Sequence, residues 1–490
     1  MKKNDYLLLS ATAAYSFLFY RQAAGINFLL FTVIFIILLI LKNVKLLKSK
    51  KWLFSALLCF LSAISVFVHS SDLSIIGNVI SLVVLSAFSV NVATSSIFSF
   101  LFGVYSVLSS VAYIILDSIK RWQPSGNTMT NKSGIKVFAT FIVLLLSILF
   151  FNMYRSSNPL FAENTKWINF DFISAAWMAF TTGGFILMYA LLYSRTIAPI
   201  EAWENNLPLS NAVSAITPEN EKRFETERYA GLLLFVMLNI MLVVLNVGDI
   251  QTLYFNGGLP ANVSHSDFVH SGVGILILSI LIATSLIMYL SRKEFNDVKN
   301  NRVLLAFIYL WIFQNLVMLS STAFRNQIYI HEYNFTYKRV GVYVWLLLAM
   351  CGLCIMYWKM HKKRSNWYLV RSNISLWFIV LVISGLLNWD KLITRYNIQN
   401  KPLVSVDFYY LFRLSDTNIP ELIAVTKQAQ FARLNSKLMD YNGNALSRYH
   451  AETYVGLLHD KVYYYLLQHY GDWRSFDLRE KEVMKSINGK

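Results

Sequence analysis

The chain has 490 residues, 56% of them hydrophobic and only 14% charged, with a mean hydropathy of +0.46. Soluble domains carry about 25% charged residues. The shortfall is spread over many apolar runs of about 20 residues, which excludes a water-soluble globule and makes a polytopic α-helical membrane protein. A β-barrel would need short alternating segments, and residues 31–41 do not alternate. The net charge of +17 does not make a nucleic-acid binder. Its Lys and Arg residues lie in short loops between apolar runs, where retention of positive charge on the cytoplasmic side explains them.

The first apolar run, residues 6–20, follows Met1-Lys2-Lys3 without a small-residue cleavage site, so it reads as a retained span. Residues 21–25 break it and 26–41 continue, a tight helical hairpin. Residues 42–51 then carry five lysines, a cytoplasmic marker. Apolar runs at 52–68, 73–90, 95–116, 137–154, 171–194, 229–247, 268–290, 303–324, 340–360 and 371–387 bring the candidate segments to twelve. From 137 onward the charge bias alternates: the loops at 117–136, 195–228, 291–302 and 359–371 belong inside, and 250–267 has no Lys or Arg. The front half conflicts, because the basic residues of 42–51 and of 117–136 are separated by three segments. The serine-rich run at 95–116 is therefore expected to be re-entrant or interfacial, leaving eleven crossings and an outer tail.

Thr181-Thr182-Gly183-Gly184 offers small residues for close helix contact. Residues 389–490 lack a long apolar run. Within them 419–439 and 445–470 are expected to be helical, the latter with its aromatic residues along one face. The expected architecture is all-α: a polytopic bundle over 1–388 with about 11–12 segments, and a small α-helical soluble domain over 389–490.

Residues able to carry chemistry concentrate between 256 and 339. A Gly257-Gly258-Leu259-Pro260 turn opens that stretch. His265, Asp267 and His270 follow, Gln314 and Asn315 lie mid-span, and Arg325, His331 and Glu332 close it with Lys338 and Arg339. Ionisable groups at membrane depth face a bundle interior or a cavity. Asp267 and His270 share a helix face, and His331 or Glu332 could complete a zinc set; the cheaper reading is that Ser266 or Asp267 caps the span. The amides Gln314, Asn315, Asn239 and Asn246 could line a path or bond between helices. Arg325, Lys338 and Arg339 run against the positive-inside trend. Either an anionic headgroup or pairing with Asp249, Asp267 or Glu332 would account for them. The three cysteines, Cys59, Cys351 and Cys354, lie in apolar runs and read as packing residues. No phosphate-loop, hydrolase, metalloprotease or dinucleotide fingerprint is present. No metal or cofactor is expected; membrane lipids, and other membrane proteins, are the expected partners.

Several short motifs follow one another in a distinctive order. Ser157-Asn158-Pro159-Leu160-Phe161 comes first, and Glu227 leads a span ending near Tyr254-Phe255-Asn256-Gly257-Gly258. Arg325, Tyr329, Tyr333 and Thr336 precede Arg395-Tyr396-Asn397-Ile398, and Asp472-Trp473-Arg474-Ser475-Phe476 closes the series. Together they resemble a bacterial multi-pass membrane family catalogued as a domain of unknown function, over roughly residues 150–480. The resemblance implies a bacterial inner-membrane protein with a C-terminal appendage, and it brings no substrate or catalytic residue. One departure is His270, after Asp267 and Phe268 and before Gly272, where the family pattern has arginine.

Three functional readings follow. The first is a non-enzymatic scaffold, sensor or regulatory partner, consistent with the lack of motifs. The second is a transporter or lipid flippase, which calls for broken helices and repeats. The third is an outward-facing lipid-linked glycosyl- or phosphotransferase, for which Asp72 is the lone early carboxylate. Convergence of the polar residues on one cavity would favour the last two, and scatter would favour the first.

Overall fold

The computed structural model describes residues 3–122, 150–166, 174–210, 218–254, 265–291, 302–432, 435–439, 445–469 and 472–488, with isolated positions between 143 and 148. The helices are α1 (Lys3–Phe19), α2 (Ile26–Lys42), α3 (Lys50–His69), α4 (Asp72–Val90), α5 (Ser96–Trp122), α6 (Pro159–Asn164), α7 (Ala175–Leu192), α8 (Ala198–Asn206), α9 (Pro218–Tyr254) and α10 (His265–Leu290). They continue as α11 (Arg302–Tyr333), α12 (Tyr337–His361), α13 (Asn366–Gly385), α14 (Trp389–Asn400), α15 (Phe408–Arg413), α16 (Ile419–Thr426) and α17 (Ala429–Ala432). A hairpin of β1 (Asn435–Met439) and β2 (Ala445–His450) precedes α18 (Ala451–His469) and α19 (Leu478–Asn488). Among the described residues, α3, α4, α5, α7, α9, α11, α12 and α13 are long and apolar enough to cross a membrane; α2 and 277–290 of α10 are apolar but shorter. This is a multi-pass helical membrane protein.

Several expectations need correction. The run at 95–116 lies in one unbroken helix of 27 residues, which removes the re-entrant reading but not the interfacial one. Its serines do not turn the chain. Ser106, Ser109 and Ser110 donate their hydroxyls to Phe102, Tyr105 and Val107 carbonyls at 2.6–2.7 Å, so the helix satisfies them itself. The stretch 419–439 is not one helix either: it breaks into α16, α17 and strand β1, which pairs antiparallel with β2. Asn442-Gly443 between the strands is a hairpin signal stronger than the helical periodicity around it. The expected span at 137–154 lies largely outside the described residues, as does most of the basic loop at 117–136.

The chain divides into two compact units. The first comprises 1–201, 382–387 and 463–490. In it α1 packs against α7, and Gly184 makes the approach possible: a Cβ there would sit 2.3 Å from the Tyr15 ring. Ser16 and Thr181 hydroxyls meet beside it at 2.7 Å. Asn27, fully buried, ties the α1–α2 turn. Its Oδ1 accepts from the Gly25 and Phe28 amides at 2.8 and 2.9 Å, and its Nδ2 donates to the Leu18 and Ala23 carbonyls.

The two ends of this unit differ in charge. At one end Lys42 Nζ donates to the Leu192 carbonyl and Lys51 Nζ to the Val92 and Thr94 carbonyls, while Arg195 pairs with Asp117. At the other, across the length of α2, the Asp472–Phe476 motif docks on the α1–α2 turn. Gln22 Nε2 donates to Asp472 Oδ2 at 2.9 Å, and Ser475 Oγ donates to Gln22 Oε1 at 2.7 Å. The Ala23 amide donates to Ser475 Oγ at 3.1 Å, and the Ile26 amide to the Phe476 carbonyl at 2.8 Å. Arg474 clamps Asp472 through Nε at 3.0 Å and reaches the Phe17 carbonyl through Nη1. This latch explains the motif.

The second unit comprises 202–381 and 388–462. Here too the ends separate. Ser210 and Arg364 form an antiparallel bridge, joining the two loops expected on the cytoplasmic side. At the opposite end, Asn397 of the Arg395–Ile398 motif accepts from the Phe335 amide at 2.6 Å and donates to the Phe335 carbonyl at 2.9 Å. The tail of this unit has its own core, in which Tyr454 of α18 packs against Phe408, Phe412 and Phe431 at 5.4–6.3 Å between ring centres. The aromatic residues of α18 do not share one face as expected: Tyr454 and Tyr465 are buried, Tyr463 and Tyr464 exposed. Neighbouring Tyr464 and Tyr465 are about 100° apart on a helix, so both faces are served.

Two outcomes test the latch. A Cβ at residue 25 would lie 2.5 Å from the Ser475 and Phe476 carbonyl oxygens, both backbone, so Gly25→Ala must push the segment away. Limited proteolysis of the full chain should then cleave at 472–490 several-fold faster than in the wild type, with membrane helices intact. The Arg474 guanidinium holds the Asp472 carboxyl at about 2, below the usual value of about 3.9. A depressed carboxylate contributes fully above its unfolded value and loses that contribution as pH falls through the folded one. Protection of the Ile26 amide from hydrogen exchange, normalised to the intrinsic rate, should hold from pH 7 to about 4 and fall only between there and about 2.

Candidate functional site: a polar seam between two parallel helices

On α9, Phe235, Asn239, Leu242, Asn246 and Asp249 recur every three or four residues and so share one face. That face meets α11. The ring of Phe235 lies 6.0 Å from Trp311, edge to face. Asn239 Nδ2 donates to its own helix at Phe235 O and across to Phe307 O at 2.9 Å. Gln314 Nε2 returns a bond to Asn239 Oδ1 at 2.6 Å, and Asn246 Nδ2 donates to the Gln314 carbonyl at 3.1 Å. At the end of the seam Arg325 Nη2 donates to Asp249 Oδ2 at 2.7 Å. Residues that increase along α9 meet residues that increase along α11, so the two helices run parallel and α10 returns the chain between them.

The pair is deep: the side chains of Arg325 and Asp249 are 11% and 9% exposed. Desolvation of both ions is costly, and close contact with an opposite charge offsets it. This seam also explains why α11 runs on to Tyr333, nine residues beyond the expected end at 324. Arg325 and Asn326 face protein, with Asn326 Nδ2 donating to the Arg339 carbonyl at 3.2 Å.

The other candidates with described side chains do not join the seam as a cluster. Gln314 joins the seam, whereas Asn315, also buried, donates to the Trp311 carbonyl of its own helix at 2.8 Å. His331 and Glu332 are exposed and lie 3.9 Å from each other. His265, Asp267 and His270 occupy the first turns of α10, with side chains outside the described residues. Among the described residues no three His, Cys, Asp or Glu side chains gather as a metal site. Of the three basic residues against the charge trend, Arg325 pairs with Asp249 as one of the two readings anticipates. Arg339 is buried with its guanidinium 4.2 Å over the Tyr329 ring, and Lys338 is exposed.

Some groups gave no usable signal in sequence. Lys359, in the basic cluster at the end of α12, is 1% exposed and donates to Ser291 Oγ. Asp390 is buried and accepts from the Ser415 and Thr417 hydroxyls. A lysine beside other lysines reads as a solvated loop, and an aspartate after Asn388-Trp389 reads as a helix start. Neither pattern reveals burial.

A family model for a domain of unknown function, DUF4153, matches residues 56–425. The chain belongs to this family. The match begins well before residue 150, where the sequence resemblance was expected to start, so the DUF4153 region includes α4, α5 and α7 as well as the seam. It ends before the Asp472–Phe476 latch. No curated protein and no solved structure matches the chain.

Breaking the seam at its charged end has a definite cost. Removing one partner of a buried ion pair destabilises by about 3–5 kcal/mol, because the other is left uncompensated. Arg325→Ala should therefore lower the thermal midpoint of the purified chain sharply. Asp249→Leu combined with Arg325→Leu should recover most of the loss, since a well-packed apolar pair escapes desolvation.

Proposed function

We propose that this DUF4153-family chain is a scaffold or regulatory partner in a bacterial cytoplasmic membrane, holding its C-terminal segment on the outer side. The observation that carries this reading is the seam. Its amide N–H groups and its ion pair are directed at one another and at helix carbonyls, as in interhelical joints, although the Asn246 and Gln314 side-chain oxygens are buried without a partner, and His331 and Glu332 are exposed. A transport path or an outward-facing transferase would need such groups turned onto a common substrate.

The side follows from charge. In the first unit Lys42, Lys45, Lys48, Lys50 and Lys51 crowd one end, and the latch closes the other. In the second unit the Lys362-Lys363-Arg364 cluster sits at the Ser210 bridge, and the Asn397 clasp at the opposite end. Each unit separately supports an outer C-terminal segment by the positive-inside rule.

Two measurements test the proposal. A periplasmic-active reporter fused after residue 488 should be active, and a cytoplasmic-active one silent; the reverse pattern overturns the sidedness. In vesicles reconstituted with the full chain, fluorescent phospholipid should cross no faster than in empty vesicles. Flux abolished by Gln314→Leu would replace the scaffold reading with a transporter.

A further inference from the structure

The residues of the latch have opposite fates. Ser475 is buried, and Asp472 and Arg474 cancel one another's charge. Trp473 turns outward: it is 57% exposed, and its ring lies 6.2 Å from that of Phe17, itself 58% exposed. Phe17 occupies the last turn of α1, the helix whose Tyr15 and Ser16 pack on α7. α1 packs on α7, a helix long and apolar enough to cross a membrane, so an open phenylalanine in the last turn of α1 offers an apolar ring beside that helix's end. The end of such a helix is where hydrocarbon gives way to headgroups, and tryptophan and tyrosine are enriched at that depth. Their rings offer apolar bodies, and their N–H and O–H groups remain wet. Trp473 therefore prolongs that apolar surface past the end of the helix that begins it.

The stretch leading to Trp473 has the same character. Tyr463, Tyr464 and Leu467 are 54%, 63% and 62% exposed, on a helix that is otherwise anchored. Between them Tyr465 is fully buried, its ring 4.7 Å beneath the Arg479 guanidinium, which pairs with Asp477. The exposed residues are thus one face of a folded element and not a loose end.

We propose that residues 463–467 and 472–476, which belong to no span among the described residues, are seated in the interfacial layer of the bilayer, with Trp473 at headgroup level. The C-terminal segment is then a strap bound along the membrane surface. Its partner is the lipid interface itself and not an anionic headgroup, because Arg474, the cation nearest Trp473 in sequence, is committed to Asp472. This inference depends on the chain being membrane-embedded and is independent of the scaffold role.

The test uses the full chain with Cys59, Cys351 and Cys354 replaced by alanine, and a single bimane-labelled cysteine introduced as Trp473→Cys, Tyr464→Cys or, as a water-facing control on exposed Lys485, Lys485→Cys. Each is reconstituted in phosphatidylcholine vesicles, with and without phosphatidylglycerol. Lipids carrying a nitroxide near the headgroup should quench the labels at 473 and 464 several-fold more than the label at 485, equally in both compositions. Quenching of both labels only by an aqueous nitroxide, to the degree seen at 485, overturns the proposal. Quenching that requires phosphatidylglycerol overturns its charge-neutral form. Tyr464 takes no part in the latch, so its label reports even if Trp473→Cys loosens the segment.

Discussion

Polar groups at membrane depth have no water to turn to, and the rest of this structure is arranged around that constraint. An amide or a charge placed in hydrocarbon must find its partner inside the protein. In the second unit the partners are on the facing helix: Asn239 with Gln314 and Phe307, Asn246 with Gln314, Asp249 with Arg325. Individual interhelical hydrogen bonds contribute modestly, about 0.6 kcal/mol on average in a membrane protein where they have been measured. Their larger consequence is register. Sliding α9 by one residue against α11 would turn Asn239, Asn246 and Asp249 off the shared face together, and each would then sit unpaired among apolar side chains.

The first unit meets the same constraint with smaller groups. Its helices approach through Gly184 against Tyr15 and through Gly103, where a Cβ would meet the Val83 carbonyl oxygen at 2.8 Å. Asn78 at the junction of α2, α3 and α4 donates to Thr32, Ser62 and the Cys59 carbonyl. In the C-terminal region, the two motifs that mark it act as joints. Asn397 grips both backbone groups of Phe335, and Asp472–Phe476 closes over the turn before α2. The Asn397 clasp holds through backbone groups of Phe335, whereas the latch combines backbone bonds with side-chain bonds from Gln22 to Asp472 and Ser475.

A DUF4153-family chain of this kind has its ionisable groups divided between joints and surface. Arg325, Asp249, Lys359 and Asp390 are interior and bonded; His331, Glu332 and Lys338 are exposed. Proximity in sequence concealed that division. His331 follows Arg325 by little more than one and a half helical turns, yet the two point to opposite environments, because on a helix six residues carry a side chain well around the axis.

What the sequence determined unaided was the solvent and the element type. Runs of about 20 apolar residues place most helices within a few residues of where they lie, since hydrophobic burial depends on composition that any window can sum. Local chemistry was also legible where it acts within a turn or two, as in the small residues around Gly184 and the shared face of Asn239 and Asn246. Only the tertiary structure decided which polar residue meets which. The pairing of Asp249 with Arg325 and of Gln22 with Asp472 joins positions far apart in the chain, and no local periodicity encodes the distance between them. The same holds for the strand at 435–439, expected to be helical, and for α5, where a re-entrant path was one of two readings: cross-strand pairing settled the first, and an unbroken helix whose serines bond to its own carbonyls removed the re-entrant path.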